Sequence, residues 1–505
     1  MNCRNIVLSA VCFCFLSISF ANNTALLTAS ISSNQELIIV IDHALHLQFG
    51  CLYPMTYQID IPAGSAGLKA LEEHQHSNSG WTQLGEKTSA DLYNAIEVVR
   101  FDYINRRAYV SAAFSGVSDS LILKIVDGSN SPVPIVFAGI SKYYDNRKAV
   151  VTATFDDWGD WMSVEGLPII NLFRSRGLYL TGGVITQFTS DSTWTRIQAE
   201  LDSGFVEVAS HSRNHIATPY DTFISRVQYT SSSEIGGSAQ DIKAALNFPP
   251  LFTLNGIKYI YSWIAPYGDY DSVVDSLLGV YGYLDVRLYA NLDTTSPREY
   301  SYGDSTLRGW ENDHHHFMPF LPTVELGAPS WGGGDTSASS LNGLFDAILA
   351  KGDVYHMMWH PQVLYTDVKK SYLVDHLDYI SGRSNIWYVN LGHLYLYHLL
   401  QSEKANEISA ATTVHSSPNS FELSQNYPNP FNPSTSIAFT IPSRVFVSLK
   451  VFDILGREVS AILSEELEAG RYTRQWNAPG LSSGVYIYRL QAGTYSEMKK
   501  LLLLR

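Results

Sequence analysis

"KAVVTATFDD", residues 148–157, decides the fold of the longest part of the chain. From Ala149 to Phe155 every residue is apolar or a threonine, and none is charged. Such a run reads as a strand buried on both faces, the pattern of a parallel sheet. Asp156 and Asp157 then stand at its C-terminal end. Working outward, "SVEGLPIINLFRSRG" (163–177) reads as an amphipathic helix closed by Gly177. "LYLTGGVIT" (178–186) is a second strand, and "DSTWTRIQAELDSG" (191–204) a second helix closed by Gly204. Trp194, Ile197 and Leu201 recur in it at helical spacing. "FVEVASHS" (205–212) is a third strand, with His211 at its end. Strands alternating with helices imply a parallel α/β sheet or barrel spanning 148–402, in which active groups gather at the C-terminal ends of the strands.

The flanking regions read differently. Residues 24–147 hold short alternating runs such as "ELIIVIDHALHLQF" and "AIEVVRFDYINRRAYVSAAF", separated by Gly, Ser, Asn and Pro, which predicts an all-β domain. No chemistry-bearing cluster stands out there, and His74 and His76 in "EEHQHSNSG" (72–80) read as a polar loop. Residues 403–420 read as a Ser/Ala/Thr-rich linker, and 421–505 as a small β-sandwich with Pro, Asn and Gly turns. At 505 residues, 45% of them hydrophobic and 16% charged, the chain is a multidomain globular protein. A formal charge of −14 argues against nucleic acid as a partner, since a phosphate-binding surface needs positive charge.

Residues 1–21 read as a signal peptide. Arg4 supplies the positive end, Ile6 to Phe20 the apolar run, and Ser19-Phe20-Ala21 a small-x-small cleavage site. No transmembrane segment is expected after its removal. Three of the four cysteines leave with it; Cys51 alone makes no intrachain disulfide.

The chemistry lies in two pieces. "SHSRNH" (210–215) sets His211 and His215 four residues apart, a spacing that puts both imidazoles on one face of a helical turn, within reach of one ion. Adjacent carboxylates can divide the labour, one binding metal while its neighbour takes a proton from water. Taken singly, the histidine pair also fits a surface helix and the Asp pair a helix cap. Together, at successive strand ends, they point to a metal-dependent site.

"TFDD" (154–157), "SHSRNH" (210–215), "APYG" (265–268) and "MMWHPQ" (357–362) resemble, in the same order, the motifs of NodB-type polysaccharide deacetylases, carbohydrate esterase family 4. The resemblance implies a distorted (β/α) barrel, one divalent ion (usually zinc) and hydrolysis of acetyl groups from sugars. It implies Asp156 as general base, Asp157, His211 and His215 as metal ligands, Tyr267 as a backbone N–H donor to the oxyanion, and His360 as general acid. Two departures stand out. Ile264 occupies the position where the family carries an Arg that holds the catalytic Asp, so either another residue, Arg213 or Arg287, supplies that charge, or the base is less well oriented and activity falls. The Asp that tunes the catalytic His has no clean match, with Asp285 and Asp293 both available.

His314 to His316 in "ENDHHHFMPF" (311–320), with Trp310 and Trp331, read either as a polar loop or as the lining of a sugar cleft. "NYPNPFNPSTSIAFTIP", "VFDILGREV", "LSSGVYIYRL" and Lys499-Lys500 resemble a C-terminal sorting domain of the type IX secretion system. The expected protein is therefore secreted or surface-attached, handled by the type IX machinery, and acts on an acetylated polysaccharide or oligosaccharide. Its alternatives are an O-acetyl esterase on a plant or algal glycan and a catalytically weakened glycan-binding or adhesion protein. The N-terminal β region is expected to pack on the barrel and extend its cleft.

Overall fold

A computed structural model describes residues 27–74, 80–116, 120–162, 164–216, 233–268, 277–278, 281–287, 323–327, 334–401, 421–423, 426, 429, 431–467, 470–478 and 480–503. The signal-peptide and linker expectations, His76, Asp293, Trp310, His314 to His316 and Trp331 lie outside these residues. Those up to 401, Ser32–Asn34 excepted, fall in one compact unit and those from 421 in a second.

The centre of the first unit is a curled, all-parallel sheet, an open half-barrel. Its strands run in the order Asp285–Arg287, Ser262–Ile264, Val206–Ser210, Leu180–Val184, Ala149–Trp158, Val354–Trp359 and Thr323–Glu325. Ile386–Tyr388 pairs with the first residues of Ala149–Trp158, on the edge whose later residues Leu180–Val184 takes. Residues 149–156 are buried without a break, as a strand covered on both faces requires. The helices Leu167–Arg174 and Asp191–Asp202 turn Ile169, Ile170 and Phe173, then Ile197 and Leu201, against the sheet. Gly177 (φ 69°) and Gly204 (φ 77°) follow them in the left-handed conformation that ends a helix at little cost to glycine. Among the described residues no helix is long and apolar enough to cross a membrane.

The N-terminal region folds as two five-stranded sheets. Their alternating strands, such as Glu36–Ile41 and Ser120–Val126, send Leu37, Ile39, Leu121, Leu123 and Ile125 into a shared core. His74 ends the strand Lys69–His74, where the sequence suggested a loop. The same core takes in Val150, Val354, Trp387 and the helix Leu391–Gln401. Tyr397 Oη accepts from Thr56 N at 3.3 Å, and Tyr261 Oη donates to Phe49 O at 2.8 Å. Val150 and Val354 lie at the N-terminal starts of their strands, so among the described residues the β region braces the sheet at the end opposite Asp156, whereas the sequence suggested that it extends the cleft.

The second unit is two antiparallel sheets, with Ser434–Ile441 central to one and Val445–Phe452 and Gly484–Ala492 central to the other. They close on a core that includes Ile437, Phe439, Leu449, Leu490 and Leu501.

Candidate active site

Successive side chains of a regular strand leave on opposite faces, so Asp156 and Asp157 should not reach one place. The chain breaks the rule at Asp157. Its φ is 59°, and the register with Leu180–Val184 slips between Phe155 and Trp158. Such a bulge re-aims a side chain. Asp157 Oδ1 lies 3.5 Å from His211 Nε2 and 3.3 Å from His215 Nε2. Asp156 Oδ2 lies 4.0 Å from His211 Nε2 and 3.7 Å from His360 Nε2.

The two histidines sit on an irregular loop, and this corrects the helical turn expected from their spacing. Ser212 (φ 67°) and His215 (φ 49°) are left-handed, which folds the loop back and brings the ring centroids to 4.7 Å. Buried Glu234 holds it in place, accepting from Arg213 N at 3.1 Å, Asn214 N at 2.8 Å and Asn214 Nδ2 at 2.6 Å. Strained non-glycine backbone of this kind, repeated at Asp157, Ser212, His215 and Tyr267, clusters where function over-determines the fold.

Orientation of the donor atoms follows from their outer contacts. His211 Nδ1 lies 2.8 Å from the carbonyl of Ile264, which can only accept, so the proton sits on Nδ1 and Nε2 turns its lone pair toward Asp157. Gln362 Nε2 donates to Asp157 Oδ2 at 2.6 Å, leaving Oδ1 for the histidines. Asp157, His211 and His215 each present one ligand atom within 4.8 Å of the others. A carboxylate oxygen facing imidazole lone pairs calls for a cation between them, and two imidazoles with one carboxylate suit a zinc-class ion with open positions. The three residues therefore fit a divalent metal.

The charge absent at Ile264 comes from the next strand. Ile264 pairs in register with Arg287, whose Nη2 donates to Asp156 Oδ1. Both side chains of that ion pair are almost fully buried. Arg213, the other candidate, is committed to Asp241 through bonds of 2.9 and 2.8 Å. Burial alone would raise the Asp156 carboxyl; Arg287, with His211 and His360, outweighs it and holds the group below its ordinary value. Asp157 is also held well below its ordinary value, His211 and His215 overcoming its burial. Burial, then the neighbouring His211, keeps the His215 imidazole down at about 4, so it is neutral and able to ligate.

His360 caps the strand Val354–Trp359. Its Nδ1 faces Glu325 Oε1 at 3.4 Å, and Glu325 is buried at the end of its own short strand. Burial opposes the charged ring, but Glu325 and then Asp156 and Asp157 overcome it and raise the His360 pKa. Glu325 thus stands where Asp285 or Asp293 was sought. Asp285 is hydrogen-bonded to Ser262 Oγ at 2.8 Å at the start of its strand, and burial, then Glu207, pushes its carboxyl far above the ordinary range. Tyr267 (φ 57°) is exposed, with its ring centroid 4.6 Å from that of His215. The sequence offered no signal for Glu325 or Glu234. The first ends a three-residue strand and the second lies in a single helical turn, and neither carries a motif.

Residues 425–504 match a family model described as a secretion system C-terminal sorting domain. The chain therefore carries the address of a protein secreted, or presented at the cell surface, by type IX secretion. No curated protein matches the chain. Among solved structures, a protein of Mycobacterium smegmatis assigned to the polysaccharide deacetylases is 12% identical over 52% of this chain and 94% of its own, with a TM-score of 0.38. PuuE allantoinase is 12% identical over 51% and 92%, with a TM-score of 0.35. A CE4-family pseudoenzyme of Bacillus anthracis is 13% identical over 51% and 71%, with a TM-score of 0.27. Likenesses this weak transfer no activity, and any functional reading rests on the side chains described above.

If Glu234 fixes the histidine loop, Glu234→Ala should lower zinc affinity ~10–100-fold, as loss of outer support does at metal sites. Competitive titration against a chromogenic chelator would measure it, and an unchanged affinity would contradict the role.

Proposed function

We propose that the chain is a secreted, metal-dependent deacetylase of an extracellular acetylated polysaccharide, built on a NodB-type distorted barrel. The observation that carries the reading is the arrangement around Asp156: its carboxylate is held by Arg287, flanked on one side by the Asp157–His211–His215 cluster and on the other by His360. Asp157, His211 and His215 would hold the ion, which when bound supplies a Lewis acid for the acetyl carbonyl and acidifies water.

The remaining steps belong to the side chains. Asp156, ionised across neutral pH, takes the proton of the attacking water. The backbone N–H of Tyr267 donates to the oxygen that becomes negative at the former carbonyl. As the C–N bond of an amide, or the C–O bond of an ester, breaks, His360 gives its Nε2 proton to the departing amine or alkoxide, and Glu325 keeps that proton available. Acetate and a free amino or hydroxyl sugar result. The buried Arg287–Asp156 pair supports a working site over a decayed one, because it restores the charge that Ile264 removes.

Acetate release from a panel of acetylated glycans, with chelator and with zinc, tests the reading. Release that depends on zinc is expected, and the best substrate distinguishes amide from ester. No release from any glycan by zinc-loaded protein would contradict the reading and favour glycan binding.

The pH profile gives a second test. Arg287 stabilises the Asp156 carboxylate, so Arg287→Gln should raise that pKa and move the acid limb of kcat/KM to higher pH. Glu325 stabilises the His360 imidazolium, so Glu325→Gln should lower that pKa and move the alkaline limb to lower pH. Unmoved limbs in folded variants would reject both assignments.

A further inference from the structure

A second cluster lies in the N-terminal sheets. On the strand Lys69–His74, Ala70, Glu72 and His74 share one face, in register with Ile125, Leu123 and Leu121 of the neighbouring strand. Those three partners are fully buried core residues. An inward position in such a sheet ordinarily takes an apolar side chain, yet Glu72 is only 5% exposed. Opposite it stands Glu97, which immediately precedes the strand Val98–Asp102 of the other sheet. Glu72, His74 and Glu97 each present one ligand atom within 4.8 Å of the other two.

Glu72 Oε2 is buried inside this cluster and meets no hydrogen-bond donor among the described residues. A buried carboxylate facing a second carboxylate is unfavourable until a proton or a cation joins them, and the imidazole of His74 beside the pair makes a ligand set for a cation. Glu97 is exposed, which leaves a way in for an ion, and its Oε1 accepts from Ala113 N at 2.9 Å, which fixes the side chain from outside. One imidazole with two carboxylates suits a divalent transition ion, whereas calcium and magnesium favour oxygen throughout.

We propose that Glu72, His74 and Glu97 form a second metal site, for a divalent ion of the zinc class, that bridges the two N-terminal sheets. Cys51 is a free, buried thiol, so no disulfide does this work among the described residues. Metal coordination is the cross-link the fold offers in its place. The site stands apart from the one around Asp157 and does not depend on the deacetylase reading.

The test strips the full chain with chelator, reloads it with zinc, desalts it and counts zinc by elemental analysis. The wild type should hold two ions. His74→Ala should hold one, with zinc-dependent acetate release changed less than about twofold, because it lies outside the catalytic machinery. Glu72→Gln, the same size and neutral, should lose the same ion without opening a cavity. His215→Ala should also hold one, and its melting temperature should still rise with zinc; in His74→Ala/His215→Ala the rise should vanish. Zinc content unchanged by both His74→Ala and Glu72→Gln would overturn the proposal. A single wild-type ion lost in His74→Ala but kept in His215→Ala would support this site and count against the first.

Discussion

Everything in the candidate site depends on the turn of the backbone at Asp157. A strand sends neighbouring side chains to opposite faces, so two adjacent carboxylates can serve one centre only if the chain leaves the strand conformation between them. The left-handed φ at Asp157 and the slipped register beside it provide that departure. The cost of such a conformation, of order 1–3 kcal/mol, is borne by a strand buried on both faces in the middle of the sheet. Asp157 can then face two imidazoles while Asp156 stays between Arg287 and His360.

The second constraint is electrostatic. A carboxylate as buried as Asp156 would take up a proton if left alone. The guanidinium that prevents this reaches it from the strand beside Ile264, at the register position opposite that residue. Backbone pairing makes the two positions neighbours, so the charge can move from one strand to the next while its target stays fixed. Ile264 keeps a different role, because its carbonyl orients His211 and a carbonyl does not depend on the side chain. Glu325 orients His360 in the same way from the opposite side of the sheet.

Much of this was legible in the sequence. The uncharged run before Asp156 announced a buried parallel strand, and the glycines at 177 and 204 closed the helices that follow. Histidines four apart were recognisable as a pair, but spacing alone implied a helical turn, since nothing local reveals that Glu234, some twenty residues on, folds the loop another way. Arg287 and Arg213 could not be ranked, because the choice rests on which strand neighbours Ile264 and on the capture of Arg213 by Asp241. Glu325 carries no sequence signal because a three-residue strand has too few positions to show a pattern. His74 looks like loop in the sequence because the polar run after it outweighs the alternation before it. Only the facing sheet, which brings Glu97 close, gives that histidine a context.

The division of labour between the two carboxylates is the central claim, and one paired measurement tests it most directly: zinc content and acetate release in Asp156→Asn and Asp157→Asn. The account predicts that Asp156→Asn keeps its ion while losing turnover by ~100-fold or more, as removal of a general base does, and that Asp157→Asn loses both. An Asp156→Asn variant that released the ion, or that turned over near the wild-type rate with its ion bound, would contradict it.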